Sequence, residues 1–193
     1  TFDDFNFDPK LMQSITAVGF KQPSPIQEQA IPLIMDGNDV VGQAHTGTGK
    51  TAAFGLPAIN NIKGEGVQVL VITPTRELAN QVSDELFLYG KNSNVRTVTI
   101  YGGRSYTRQV DLVRRGAQIV VATPGRLLDM LSKKMIKDFN PAMVILDEAD
   151  EMLDMGFLDD INEIFDYLPA ERQTLLFSAT MPPPIKRLAD RIL

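Results

Sequence analysis

Residues 44–51 read Ala-His-Thr-Gly-Thr-Gly-Lys-Thr, and residues 143–150 read Met-Val-Ile-Leu-Asp-Glu-Ala-Asp. Both patterns could do phosphate chemistry. In the first, Gly47 and Gly49 let the backbone turn tightly, so that successive N–H groups and the helix N-terminus behind them can point at an anion. Lys50 would set its ammonium on the β- and γ-phosphates of a nucleotide, and Thr51 would offer its hydroxyl to Mg2+. Ala44, His45, Thr46 and Thr48 complete the loop, with Ala44 standing where the general pattern has glycine. His45 is the only histidine of the chain and reads as an exposed loop residue. In the second pattern, four apolar residues run directly into acids. Asp147 would hold Mg2+ through water, and Glu148 would orient or deprotonate an attacking water. Asp150 also fits a helix N-cap. Together the two patterns point to an ATPase that uses ATP and Mg2+.

Such a loop needs a strand before it and a helix after it. Strands are expected at 39–43, 67–73, 96–101, 118–123, 143–147 and 174–178. The run Val69-Leu70-Val71-Ile72 is apolar without alternation, as in parallel strands covered on both faces. Helices are expected at 52–62, 77–89, 107–115, 125–134 and 158–168. Leu78, Val82, Leu86 and Tyr89 recur every three or four residues, which marks one helix face. Strand–helix alternation predicts a single α/β domain over 1–193, an open, mostly parallel sheet with helices on both faces. Its ligands would sit at the carboxyl ends of the strands. Pro182, Pro183 and Pro184 would open a last helix.

Composition excludes other classes. The chain has 193 residues, 44% of them hydrophobic and 22% charged, which fits one globular domain rather than a disordered or coiled-coil protein. Without cysteine and with one histidine, neither a disulfide scaffold nor a His/Cys zinc site can be built. No apolar run is long enough for a membrane helix, and no leader peptide is expected from the first residues. The chain stops inside an amphipathic pattern, as expected of a piece of a longer protein. Base-reading Asn-Lys-x-Asp and transporter-type Leu-Ser-Gly-Gly-Gln patterns are absent.

In order along the chain, these motifs resemble the DEAD-box RNA helicase family. Asp147-Glu148-Ala149-Asp150 is similar to the motif that names it. Gly19-Phe20, Pro23 and Pro25-Ile26-Gln27 resemble its Q motif, and Pro74-Thr75-Arg76-Glu77-Leu78-Ala79 resembles motif Ia. Gly102-Gly103 is similar to the GG doublet, Thr123-Pro124-Gly125-Arg126 to motif Ib, and Ser178-Ala179-Thr180 to motif III. The resemblance runs from about Phe2 to the end of the chain. It implies the N-terminal RecA-like domain of an RNA-dependent ATPase, cytoplasmic, which couples ATP hydrolysis to local unwinding of short RNA duplexes. It implies that Gln27 reads the adenine edge while Phe20 packs on the ring; an amide can make paired hydrogen bonds to adenine. It also implies that Ser178 and Thr180 bond to Asp150 and couple the nucleotide state to RNA strand separation. Pro74, Thr75, Arg76, Gly102, Gly103, Thr123, Pro124, Gly125 and Arg126 would touch the RNA backbone, which carries little sequence specificity.

Nothing here resembles the family's second RecA-like domain, the partner that brings motifs IV, V and VI and the arginine fingers. Such a finger is worth roughly 10³–10⁵ in rate. The isolated chain is therefore expected to bind nucleotide, hydrolyse it very slowly and unwind nothing. The net charge of −5 argues against coating nucleic acid by bulk charge. Yet residues 91–137 hold 10 basic and 2 acidic side chains, and residues 138–193 hold 4 basic and 12 acidic ones. A local, salt-sensitive RNA contact is expected from the basic middle.

Overall fold

A computed structural model describes the chain from Thr1 to Leu193. Its centre is a sheet of six strands: β1 (Val40–Gln43), β2 (Val69–Ile72), β3 (Thr97–Ile100), β4 (Ile119–Ala122), β5 (Met143–Leu146) and β6 (Gln173–Ser178). They lie in the order β1-β6-β5-β2-β4-β3. Every neighbouring pair is parallel, so the mostly parallel sheet expected from the sequence is wholly parallel. The helices are α1 (Pro9–Val18), α2 (Pro25–Met35), α3 (Lys50–Asn60), α4 (Arg76–Gly90), α5 (Tyr106–Arg114), α6 (Pro124–Ser132), α7 (Ala149–Asp154), α8 (Leu158–Asp166) and α9 (Pro183–Ile192). No helix is long and apolar enough to cross a membrane.

The strands bury both faces. On β2, Val69 and Val71 join a core with Leu11, Ile31, Phe54 and Leu86, whereas Leu70 and Ile72 join a second core with Leu127, Ile161 and Leu188. Helices on each side therefore remove successive strand residues from water, and an alternating pattern has no use here. The expected strands and helices lie within two residues of their observed ends. Helices α1, α2 and α7 were not expected. α1 and α2 each begin on a proline, α2 carries Pro32 inside, and α7 has only six residues, too few to show a period. α9 opens on the proline run as expected.

Parallel strands send all their carboxyl ends to one edge. The ends of β1, β6 and β5 carry residues 44–51, Ser178 and Asp147. The ends of β2, β4 and β3 carry residues 74–76, 123–126 and 102–103. The two halves join where the Asp147 N–H donates to the carbonyl of Ile72 at 2.9 Å.

Candidate nucleotide site and nucleic-acid interface

The phosphate loop leaves β1 and enters α3. Gly47 and Gly49 hold φ of 89° and 82°, left-handed values that favour glycine. The N-terminus of α2 braces the loop from behind. The Ser24 hydroxyl donates to the Thr48 carbonyl at 2.8 Å, and the Gln27 amide donates to the Gly49 carbonyl at 3.0 Å. Gln27 also accepts from the Ser24 N–H at 2.9 Å, one half of a capping box. A Cβ at Gly49 would stand 2.5 Å from Gln27 Nε2, so only glycine lets the brace close. Thr48 turns its hydroxyl back to the His45 carbonyl at 2.7 Å, and His45 is exposed as expected.

A cavity of about 370 Å³ opens over the loop. Of the expected nucleotide residues, Phe20, Thr46, Gly47, Gly49, Lys50 and Thr51 line it, together with Asp147 and Glu148. Ala44, His45, Thr48 and Gln27 do not; they shape the loop or brace it. Phe20 stacks on Phe2, with centroids 5.7 Å apart, and tilts against Tyr89.

Lys50 is buried and lies 2.8 Å from Asp147, and its ammonium also bonds directly to Glu148. Thr46 adds a hydroxyl bond to Glu148 at 3.2 Å. Burial alone would lower the Lys50 ammonium, but the two carboxylates outweigh it and hold its pKa above the ordinary value. Burial pushes the Asp147 carboxyl up, and the adjacent ammonium opposes that rise. The carboxylates beside it favour the charged form of the Lys50 ammonium. Glu148 occupies the N-cap position of α7 with φ 62° and ψ 48°, a left-handed backbone on a buried non-glycine residue. Such a conformation costs of order 1–3 kcal/mol and collects at functional sites. The alternative of Asp150 as N-cap is thereby corrected: Asp150 is two residues further on, inside the first turn.

Asp150 instead joins β6. Its N–H donates to the Ser178 hydroxyl at 3.1 Å, and its carboxylate accepts from the Thr180 N–H at 3.1 Å and the Thr180 hydroxyl at 3.0 Å. The Ser178 hydroxyl in turn donates to the Thr180 carbonyl at 2.6 Å. Burial would raise the Asp150 carboxyl, but the bonds from Thr180 and Ser178 hold it below the usual range.

At the other half of the edge, Thr75 caps α4 and Arg76 is its exposed first residue. Pro74 and Pro124 are buried beneath, Gly102 and Gly125 are exposed with open space where a Cβ would be, and Thr123 sits at the N-cap of α6. Gly103 has φ 87°, and a Cβ there would come 3.7 Å from the Arg76 guanidinium. Tyr101, buried, has Arg76 and Arg104 over its ring at 5.6 and 5.5 Å. Arg126 lies 3.8 Å from the Tyr106 ring centre and donates to the Arg104 carbonyl at 2.9 Å and to Gln109 at 3.1 Å. Arg126, expected as an RNA-backbone contact, is positioned by these bonds, since a guanidinium can stack and donate at once.

A family model for the DEAD/DEAH box helicase matches residues 24–188. The chain belongs to this family. It is 58% identical to the DEAD-box ATP-dependent RNA helicase RhpA of Helicobacter pylori over all of this chain and 39% of that protein. It is 51% identical to the DEAD-box ATP-dependent RNA helicase CshA of Bacillus subtilis, over all of this chain and 40% of that protein. The crystal structure of a DEAD box protein from Methanococcus jannaschii superposes with a TM-score of 0.96 at 40% identity, covering all of this chain and 53% of that one. The chain thus spans about two fifths of the length of these curated relatives.

Within this DEAD/DEAH box domain, several contributors carried no role in the sequence reading. Ser24 braces the loop, and its Ser-x-x-Gln spacing to Gln27 was the available sign. Phe2, Tyr101, Tyr106 and Gln109 act through rings and an amide, and no spacing rule points to them, although Tyr101 directly precedes the GG doublet.

Proposed function

We propose that this domain binds ATP with Mg2+ at residues 44–51, holds the RNA backbone at the β2-β4-β3 edge, and works with a second RecA-like domain of the same polypeptide as a cytoplasmic, RNA-dependent ATPase that locally opens short RNA duplexes. One observation carries the reading: the Lys50 ammonium sits between Asp147 and Glu148 at the mouth of a glycine loop. Phosphate oxygens would compete with these carboxylates for the ammonium, freeing Asp147 for metal and Glu148 for water. Thr51 and Asp147 offer a hydroxyl and a carboxylate, and no group of three or more acids or histidines is placed to hold a metal ion by itself. That sparse, hard-oxygen set suits Mg2+, which keeps its waters and shares the substrate's phosphates. When bound, Mg2+ supplies positive charge to the β- and γ-phosphate oxygens.

Gln27 keeps one amide N–H and one lone pair free beyond its two bonds, enough for an adenine edge. Base recognition would then pull on the Gly49 carbonyl and so on the loop itself. Asp150, Ser178 and Thr180 form the joint between the acid strand and β6, the route by which nucleotide state would reach the partner domain. The arginine fingers belong to that partner, so the isolated chain turns over very slowly.

The test is a calorimetric titration with ATP, ADP and GTP, combined with single-turnover hydrolysis. Glu148→Gln is expected to keep ATP affinity while hydrolysis drops by roughly 10²–10⁴. Unchanged hydrolysis would remove Glu148 as the water-orienting base, and equal affinity for GTP would remove Gln27 as the adenine reader.

A further inference from the structure

The basic middle of the chain is larger than the motifs account for. Arg104, Arg108, Arg114, Arg115, Lys133, Lys134 and Lys137 are all exposed, on α5, at its start or at the end of α6. Only two of these cations have a carboxylate within reach: Arg115 pairs with Asp111 at 2.9 Å, and Lys133 with Asp129 at 3.2 Å. Arg108 and Arg114 line a cleft of about 620 Å³ with Ser105, Thr107 and Met135. Asp111, the one acid in that cleft, is already taken by Arg115. Arg114 is held in place by a bond to the Met135 carbonyl at 3.5 Å. The cleft begins where the GG doublet ends, since Ser105 caps α5 two residues after Gly103.

We infer that the α5 cleft is a second backbone-binding track, in which Arg108 and Arg114 take phosphates of the RNA strand beyond those held by the motifs. α5 has nine residues, which gives about 13 Å of helix at ~1.5 Å per residue. Arg108 and Arg114 are six residues apart, about 9 Å along the helix at ~1.5 Å per residue, so the two can meet different phosphates of one strand. Two guanidiniums without a carboxylate partner in an open cleft, with hydroxyls from Ser105 and Thr107 beside the apolar Val110 and Met135, suit phosphate and sugar rather than base edges. The track therefore adds length dependence without sequence preference. This inference rests on the RNA reading of the β2-β4-β3 edge.

The experiment is fluorescence anisotropy of this chain at low salt with unstructured RNAs of two lengths, one covering the motifs alone and one about twice as long. The double variant Arg108→Gln/Arg114→Gln is compared with Lys186→Gln/Arg187→Gln, which removes equal charge from exposed positions on α9. Thermal unfolding checks that the surface changes leave the fold intact. The α5 variant is expected to lose the extra affinity of the longer RNA, several-fold, while the shorter RNA binds as before. For the longer RNA, the slope of log K against log salt should become shallower by about 1.4, two contacts at ~0.7 each. Unchanged binding of the longer RNA, or an equal loss for both lengths or for the α9 variant, would overturn the track while leaving the motif contacts standing. Failure of the unaltered chain to bind either RNA would overturn the RNA reading and the track with it.

Discussion

At the β1-β6-β5 end of the sheet, one ammonium lies buried between two carboxylates; at the β2-β4-β3 end, three guanidiniums rest against the rings of Tyr101 and Tyr106. In the first arrangement the cation is already engaged by the protein's own carboxylates. A ligand there must exchange partners with the protein, which makes binding conditional on the right anion in the right place. The second arrangement leaves its charge available, and ring contact holds the guanidiniums without using up that charge. Binding of RNA there, as proposed, would need no such exchange of a carboxylate and would be weakly selective and sensitive to salt. One edge of one sheet thus carries a gated site and an open one.

Removing the shared cation breaks the comparison most severely. Lys50→Ala leaves two buried carboxylates facing each other. Breaking a buried pair costs roughly 3–5 kcal/mol, and the low end is expected here because one carboxyl can take up a proton. Chemical denaturation should show a loss of roughly 3 kcal/mol, and calorimetry should show ATP binding gone. RNA binding at low salt should remain, because the guanidinium edge is untouched. Concurrent loss of RNA binding in a folded Lys50→Ala protein would show that the two ends are not separable.

Gly49→Ala is next. The substitution forces an L side chain into φ 82° and places its Cβ 2.5 Å from Gln27 Nε2 and 3.2 Å from Ser24 Oγ. The left-handed backbone and the crowding together cost roughly 2–3 kcal/mol. Nucleotide affinity should fall with stability because the brace from α2 must open. A fully stable Gly49→Ala protein would mean that Gln27 and Ser24 do not hold the loop.

These two positions show what a sequence can disclose. Glycine, lysine and acid spacings announce a phosphate site because the chemistry demands those types at those intervals, and the apolar runs announce the strands that carry them. Sharing of Lys50 between Asp147 and Glu148 is a matter of distance across two strands, and no local pattern encodes it. The left-handed Glu148 is equally silent, since glutamate has no preference for that backbone. At the open end, Arg76 and Gly103 were legible, whereas the part played by Tyr101 and Tyr106 depends on ring placement after folding. The bonds that position Arg126 were not legible, because Arg104 and Gln109 lie in a turn and a helix separated from it in the chain by 22 and 17 residues.

A smaller effect is expected at the joint that leaves the gated site. Asp150→Ala removes two acceptor bonds to Thr180, worth about 1 kcal/mol once its exposure to solvent is allowed for. The carboxyl is held below its ordinary value of 3.8, so it stabilises the fold when ionised. Its contribution is complete above that ordinary value and is lost as pH falls through the lowered one. Denaturation of Asp150→Ala and the parent should therefore differ at neutral pH and converge toward acid. A difference that persisted well below the ordinary carboxylate range would place the stabilisation in bonds to Thr180 that the protonated carboxyl still makes rather than in the charge.

Gly103→Ala is the mildest change and the sharpest control. Its φ of 87° nearly matches that of Gly49, but its Cβ would meet only the Arg76 guanidinium, at an ordinary 3.7 Å. The cost is the left-handed backbone alone, about 1 kcal/mol. Stability should fall by that amount and ATP affinity should not move. RNA affinity should weaken, since a methyl group now stands where the backbone is proposed to approach the phosphate. If RNA binding held constant, the doublet would be a turn and nothing more. If ATP affinity fell as well, the open end would be conditional on the gated one, and the contrast between them would have to be redrawn as coupling.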